Sequence, residues 1–138
     1  EGVPTEAIRA LRHAYATNFP QWLHDNARPF FVPETPESML TWMENIMLQT
    51  SLRAVVELYD AVATTDFRKE MREISVPTLI VQGTKDASIP IKISGYKAAK
   101  LVKNSRFIVY ENAPHGLPLT HTARLNRDLL DFIGASSG

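Results

Sequence analysis

Two loops of this 138-residue chain each contain a titratable residue in a setting that suits catalysis. The first loop, GTKDASIP at residues 83–90, contains Asp86, and the second, NAPHG at residues 112–116, contains His115. An aspartate that fixes the tautomer of a histidine lets that histidine act as general base and then general acid for an acyl-transfer nucleophile. Either residue alone is more simply a turn former or a surface residue. It is the pair, at this spacing, that predicts a catalytic acid and base.

The segments that flank these loops predict one βαβ unit and a closing helix. The apolar run at 78–82 is typical of a parallel strand buried on both faces, and 106–110 predicts a second strand. Apolar spacing predicts helices over about 91–103 and 120–133. Functional side chains of an open parallel sheet lie on the loops that leave the carboxyl ends of its strands. Such a unit would therefore bring the two loops together.

The first part of the chain, 1–74, is predicted to be all helical and distinct from the α/β part at 75–138. Apolar residues recur at helical spacing from about Pro4 to Asn18, and a second short helical segment is predicted over 19–27. Three more helices are predicted to follow. Their expected N-caps are Thr35, with Pro36 at the first helical position, then Ser51 and Asp66.

Two buried-type strands do not make a stable sheet alone. Parallel sheets are built from several strands and covered on both faces, so neighbouring strands are needed to pair the free backbone groups. We therefore expect the sheet to be completed by another polypeptide segment, or by copies of this chain. The chain begins with Glu1 rather than Met, and we expect it to have been processed or cut from something longer.

Composition narrows the classes of partner. The 15 basic and 15 acidic residues balance, which gives no electrostatic reason to expect nucleic acid or a membrane as partner. Absence of cysteine excludes disulfides and thiolate chemistry, and no apolar run reaches the length of a membrane span. His13 and His24 lack metal-ligand spacing, so no metal site is expected. We expect a soluble, cytoplasmic protein.

The segments VPTLIVQGTKDASIP, ENAPHG and THTARLNRDLLDFI together resemble the last part of an α/β-hydrolase. They are most similar to the bacterial serine esterases described as cofactor-free haloperoxidases or perhydrolases. In that family a G-x-x-D-x-x-x-P loop supplies the triad acid and A-P-H-G supplies the histidine, which implies these roles for Asp86 and His115. The helical region 1–74 would correspond to the family's cap over the active site. The fold class implied is α/β, as the C-terminal part of an α/β-hydrolase fold.

One part of the family's pattern is missing from these residues. The nucleophile elbow G-x-S-x-G does not occur in the 138 residues. The resemblance thus implies that the nucleophilic serine belongs to an N-terminal half, either a separate chain or a removed segment. The serines that lack the flanking glycines of the elbow, and so make poor replacements, include Ser51, Ser75, Ser88 and Ser94.

The implied activity is hydrolysis of a small ester, with perhydrolysis as a possible second activity and no metal or organic cofactor. Trp42 in the cap and Ile89 near Asp86 are candidates for the substrate pocket, although core packing is the simpler interpretation of Trp42. His121 also follows the second strand, but it is expected to cap a helix or to form a buried hydrogen bond. The alternative is a non-catalytic fragment or a binding or assembly module derived from an α/β-hydrolase, which could assemble with copies of itself as a homo-oligomer.

Overall fold

The structure, a computed structural model, describes residues 5–136 and forms two compact units. The first unit contains residues 5–28 and Pro33–Asp66, and the second contains Pro29–Val32 and residues 67–136. Pro4, where the first helix is predicted to begin, lies outside the described residues. The division predicted between a cap at 1–74 and a core segment at 75–138 stays a prediction.

The described residues of the first unit form three α-helices, α1 (Thr5–Ala27), α2 (Glu37–Met47) and α3 (Leu52–Thr64). Helix α1 is broken at Asn18, which has φ −153° and ψ 79°, two residues before Pro20. A proline ring removes a helical hydrogen bond and clashes with the preceding turn, so it favours this break. The break lies where the two predicted helical segments meet, and α1 packs against α2 and α3.

Of the three predicted N-cap residues, the structure confirms one and replaces two. Ser51 is the N-cap of α3, and its Oγ accepts from the Ala54 N–H at 3.4 Å, as predicted. The N-cap of α2 is Pro36 rather than Thr35, because Pro36 adopts an extended conformation (φ −59°, ψ 142°) and the helix begins one residue later. Phe67, not Asp66, holds the N-cap position of the next helix.

The second unit contains a two-stranded parallel sheet, which confirms the predicted α/β class. Register pairs Thr78 with Ser105 and Gly83 with Tyr110, so both strands end at the same edge. Its elements in chain order are α4 (Arg68–Glu73), β1 (Thr78–Gly83), α5 (Gly95–Leu101), β2 (Ser105–Tyr110), α6 (Leu117–Thr120) and α7 (Thr122–Ser136).

Two helices of this unit differ from the expected bounds. Helix α5 begins at Gly95 rather than near Ile91, because Ser94 has non-helical angles (φ −124°, ψ −90°). The closing helix predicted over about 120–133 begins slightly later, as α7 at Thr122, because His121 has a non-helical φ of −126°, and the short helix α6 precedes it. Within residues 5–136, every helix is too short or too polar to traverse a lipid bilayer.

The core of the second unit surrounds the end of β2. Tyr110 and Ala113 are fully buried, and Leu117 is nearly so. The Tyr110 hydroxyl donates to the Asp128 carboxylate, and the Arg124 guanidinium lies 3.7 Å from the centre of the Tyr110 ring. Burial, with the hydrogen bond to Asp128, raises the pKa of Tyr110 from 10.0 to about 12. These contacts anchor the residue from which the second loop departs.

Candidate active site

The loops that follow β1 and β2 are joined by backbone hydrogen bonds. The Thr84 N–H donates to the Tyr110 carbonyl at 2.9 Å, and the Lys85 N–H donates to the Ala113 carbonyl at 3.0 Å. Backbone hydrogen bonding between the two segments thus continues beyond the ends of the strands and into the loops. As a result, the backbone that precedes Asp86 is held beside the backbone that precedes His115.

The side chain of Thr84 adds a further link between the loops. Its hydroxyl accepts from the Asn112 N–H at 2.8 Å and lies 3.3 Å from a carboxylate oxygen of Glu111. Asn112 has φ 61°, in the left-handed region that asparagine tolerates better than most residues. The tight turn at Asn112 therefore directs the chain back toward the first loop.

Close approach of the two backbones explains the glycine that ends β1. A Cβ atom at Gly83 would lie 2.0 Å from the Ala113 carbonyl oxygen and 2.5 Å from its carbonyl carbon. The described glycines all have ordinary backbone φ values, so what Gly83 provides is space. Absence of a side chain at this position is what allows the loops to meet.

Asp86 and His115 are directly hydrogen-bonded. Nδ1 of His115 lies 2.9 Å from Oδ2 of Asp86. Because an ionised carboxylate can only accept, Nδ1 must hold the proton, which leaves Nε2 of the neutral ring free to accept one. The Asp86 side chain is 4% exposed and that of His115 is 33% exposed. The pair thus has a buried acceptor and a ring that solvent or a ligand can reach.

The buried carboxylate of Asp86 has two more hydrogen-bond donors. The Ile89 N–H donates to Oδ1 at 2.7 Å, and the side-chain amide of Gln82 lies 3.2 Å from Oδ2. Burial of a charged group is costly unless its hydrogen bonds are satisfied. The three donors therefore satisfy the buried carboxylate and hold it in one orientation. Sequence reasoning did not identify Gln82, because nothing in the strand pattern separates its side chain from those of its neighbours.

The ring of His115 also contacts an aromatic residue from far along the chain. Phe30 meets it edge to face, with ring centres 4.8 Å apart and planes at 88°. The Phe30 carbonyl accepts from the Gly116 N–H at 2.6 Å, which ties the segment Pro29–Val32 to the histidine loop. A Cβ at Gly116 would lie 2.5 Å from the Phe31 ring. No sequence signal pairs Phe30 with His115.

The remaining candidate residues from the sequence do not take part in the hydrogen bond between Asp86 and His115. Ile89 lies in the same unit as Asp86, and its side chain is about half exposed. Trp42 is on α2 in the first unit and is also about half exposed, and the substrate roles of both residues stay predictions. Nδ1 of His121 lies 2.8 Å from the Thr120 hydroxyl. No cluster of metal-ligating side chains was found in the part of the chain that the structure describes.

Comparison with known proteins gives a consistent set of relatives. A family model described as alpha/beta hydrolase fold matches residues 3–122. A bifunctional esterase/perhydrolase of Acinetobacter calcoaceticus is 36% identical over 140 residues, covering 96% of this chain and 50% of the relative. A non-heme haloperoxidase of Rhodococcus erythropolis is 36% identical over 141 residues, covering 96% and 51%. The chain thus spans about half the length of these curated relatives.

Solved structures of similar fold include proteins with the same kinds of name as these relatives. An esterase from Exiguobacterium antarcticum superposes with a TM-score of 0.89 at 25% identity, over 97% of this chain and 50% of that one. A bromoperoxidase from Bacillus anthracis superposes with a TM-score of 0.85 at 27% identity, over 92% and 48%. The half-length coverage is consistent with a C-terminal portion of such a protein.

Proposed function

Since this chain belongs to the α/β-hydrolase fold family, we propose that it forms the cap and the C-terminal part of a serine hydrolase that acts on small esters. The observation that supports this most is the 2.9 Å hydrogen bond between His115 and Asp86 at the carboxyl edge of two paired parallel strands. The other half of the hydrolase would supply the nucleophilic serine, on a G-x-S-x-G turn outside these 138 residues.

In the proposed reaction, Nε2 of His115 removes the proton from the serine hydroxyl as the serine oxygen attacks the ester carbonyl carbon. Asp86 holds the ring in the required tautomer and stabilises the imidazolium that forms. The imidazolium then gives its proton to the departing alcohol, leaving an acyl-serine. Water, deprotonated by the same nitrogen, releases the carboxylic acid and restores the serine. Hydrogen peroxide in place of water would release a peracid.

Partial burial of the sheet supports a second half. The residues of β1 from Thr78 to Gln82 have the composition of a doubly covered strand, yet each is only partly buried. In β2, Phe107, Ile108 and Val109 are likewise only partly buried. Several more strands and their helices would cover these side chains and pair the free strand edges. The missing serine and the missing strands are, in this proposal, parts of one segment.

A second candidate is a non-catalytic fragment, or a binding or assembly module derived from an α/β-hydrolase. The observation in its favour is that G-x-S-x-G is absent from the 138 residues. Association with copies of this chain would then cover the sheet. Such a module would hydrolyse no ester, whatever segment is added to it.

One experiment separates the two candidates. Mass spectrometry of the natural protein identifies whether a G-x-S-x-G segment accompanies residues 1–138, in the same chain or as a second polypeptide. Hydrolysis of a short p-nitrophenyl ester is then measured for the chain with and without that segment. We expect activity only when both are present.

Variants of the assembled protein test the assigned roles. We expect His115→Ala to lower kcat by about 10³-fold or more and Asp86→Ala to do so by a comparable factor, since removal of either triad member has such effects in serine hydrolases. His121→Ala is the matched control, because His121 also follows β2 but its ring hydrogen-bonds the hydroxyl of its neighbour Thr120. Full activity of the His115→Ala protein, with the fold retained, would exclude the proposal.

A further inference from the structure

We propose that Gln82 is a positioning residue that holds the Asp86 carboxylate in the orientation that His115 requires. The inference rests on the proposed function, since it takes Asp86 and His115 as the acid and base. Gln82 is the next-to-last residue of β1, and its side chain reaches over the loop that contains Asp86. Its side chain hydrogen-bonds Asp86, the backbone of Ile89 and Gly95, and Ser94, so its effect on His115 would pass through Asp86.

The amide of Gln82 is at the centre of a hydrogen-bond network. Its Nε2 lies 2.6 Å from the Ile89 carbonyl oxygen, 2.9 Å from Ser94 Oγ and 3.2 Å from Asp86 Oδ2. Its Oε1 accepts from the Gly95 N–H at 2.8 Å and from the Ser94 hydroxyl at 3.0 Å. The two N–H groups of the amide thus have three acceptors within reach, and Oε1 has two donors, so the full capacity of a side-chain amide is used.

The Gly95 N–H determines which way the amide faces. A backbone N–H is always a donor, so the amide atom next to it must be the oxygen. A flipped amide would set its NH₂ against the Gly95 N–H and its oxygen against the Ile89 carbonyl and the Asp86 carboxylate. All three contacts would then be repulsive, and the network itself therefore assigns the amide orientation. Nε2 consequently faces Asp86.

The glycine at position 95 supports the same arrangement. A Cβ at Gly95 would lie 2.4 Å from Gln82 Oε1 and 2.9 Å from the Phe107 ring. A larger residue would push the amide away from the helix start. The start of α5 is thus shaped to receive the Gln82 side chain.

The consequence for Asp86 follows from the closed set of bonds. Gln82 donates to the Ile89 carbonyl, and the Ile89 N–H donates to Asp86 Oδ1, so one peptide segment is held between the two side chains. Rotation of a carboxylate about its last torsion is otherwise soft. With Gln82 in place, Oδ2 stays directed at His115 and shares its second lone pair with the amide.

The test uses the complete enzyme, meaning this chain together with the G-x-S-x-G segment. Gln82→Met keeps the length of the side chain and removes its polar atoms. Gln82→Glu keeps the acceptor for the Gly95 N–H and replaces the NH₂ that faces Asp86 and the Ile89 carbonyl with a carboxylate oxygen. We expect both variants to lower kcat for a short p-nitrophenyl ester by about 10- to 100-fold with KM within about 2-fold, the usual size of effects from misplaced supporting groups.

Ser94→Ala is the matched control. It removes another member of the same network but leaves the contact between Gln82 and Asp86 intact. We expect its kcat to stay within about 2-fold of the parent. A loss as large as that of Gln82→Met would mean that the network matters only for folding of the loop, and would overturn the inference.

A double-mutant cycle separates positioning from general damage. If Gln82 acts through Asp86, Gln82→Met causes no further loss of kcat in the Asp86→Ala background. The same fold-loss in both backgrounds would overturn the inference, as would unchanged kcat in both Gln82 variants when circular dichroism shows that they are folded.

Nuclear magnetic resonance provides a readout that does not depend on activity. In the parent protein we expect the ¹⁵N shifts of the His115 ring to report the tautomer with the proton on Nδ1. In Gln82→Glu we expect a mixture of tautomers or faster exchange of that proton. If the parent hydrolyses no ester, the proposed function fails while this comparison still decides the role of Gln82. An unchanged tautomer and exchange rate in the variant would overturn it.

Discussion

Replacement of Gly83 by alanine tests how the two loops bring Asp86 and His115 together. The new Cβ would begin 2.0 Å from the Ala113 carbonyl oxygen, whereas real Cβ atoms essentially never lie within 3.0 Å of such an atom. The backbones must therefore separate by at least about 1 Å. Because Ala113 is two residues from His115, that separation falls on the hydrogen bond between the two side chains.

The expected magnitude follows from the distances. The His115 to Asp86 separation would rise from 2.9 Å to about 3.9 Å, beyond the range of a hydrogen bond. A misplacement of about 1 Å at a reacting group costs about 100-fold in rate. We expect Gly83→Ala to lower kcat by about this factor, and the strain of overpacking to lower the free energy of unfolding by about 1–3 kcal/mol.

Kinetics with a short p-nitrophenyl ester and urea unfolding of the assembled protein measure the two effects. Gly134→Ala is the matched control, because a Cβ at Gly134 meets nothing within 4 Å. Its helical position predicts unchanged kcat and a gain in stability of up to about 1 kcal/mol. A Gly83→Ala protein with parental kcat would refute the reasoning, even if it were less stable, since the loops would then not set the geometry of the pair.

Three further predictions concern separate contacts. Phe30→Ala removes the ring beside His115, and since an aromatic pair contributes about 0.5–1.5 kcal/mol we expect kcat to fall by about 2- to 12-fold. The fold raises the pKa of Tyr110 from 10.0 to about 12. The protonated hydroxyl therefore contributes about 2–3 kcal/mol to the free energy of unfolding below pH 10, and this contribution is lost as the pH rises toward 12. Urea unfolding between pH 10 and pH 12 should show a smaller decrease in the free energy of unfolding for Tyr110→Phe than for the parent. Among the described residues, the buried Thr35 Oγ1 has no hydrogen-bond partner, so calorimetry should find Thr35→Val at least as stable as the parent. An unchanged kcat in Phe30→Ala would contradict the first prediction, and an equal decrease in the free energy of unfolding in Tyr110→Phe would contradict the second. A loss of more than about 1 kcal/mol of stability in Thr35→Val would contradict the third.

Proximity of the Asp86 and His115 loops was predictable because it depends on a rule of topology. Two parallel strands joined by a helix end at the same edge, and each of the loops follows one of these strands. The strand composition alone indicated where each strand stops. Hence the pair could be located from the order of apolar runs and loops, without any knowledge of side-chain contacts.

Features that depend on tertiary contacts were not predictable in this way. Phe30 reaches His115 across 85 positions, through a carbonyl that no pattern marks. Helix α5 starts late, after the non-helical Ser94, and its first N–H, that of Gly95, binds the Gln82 side chain in a contact between a strand and a helix. Thr35 has the composition of an N-cap, but the extended backbone of Pro36 moves the helix start past it. In each case a contact or a local conformation outweighed a sequence preference.

The most direct measurement of the central claim is to locate the nucleophile that His115 activates. The complete natural protein is treated with a fluorophosphonate probe, which labels serines activated by a neighbouring base, and the labelled peptide is identified by mass spectrometry. We predict a single label on a serine within G-x-S-x-G, outside residues 1–138, and loss of that label in His115→Ala but not in His121→Ala. A label on a serine within these 138 residues, or labelling that survives His115→Ala, would contradict the assignment of Asp86 and His115 as the acid and base of a serine hydrolase.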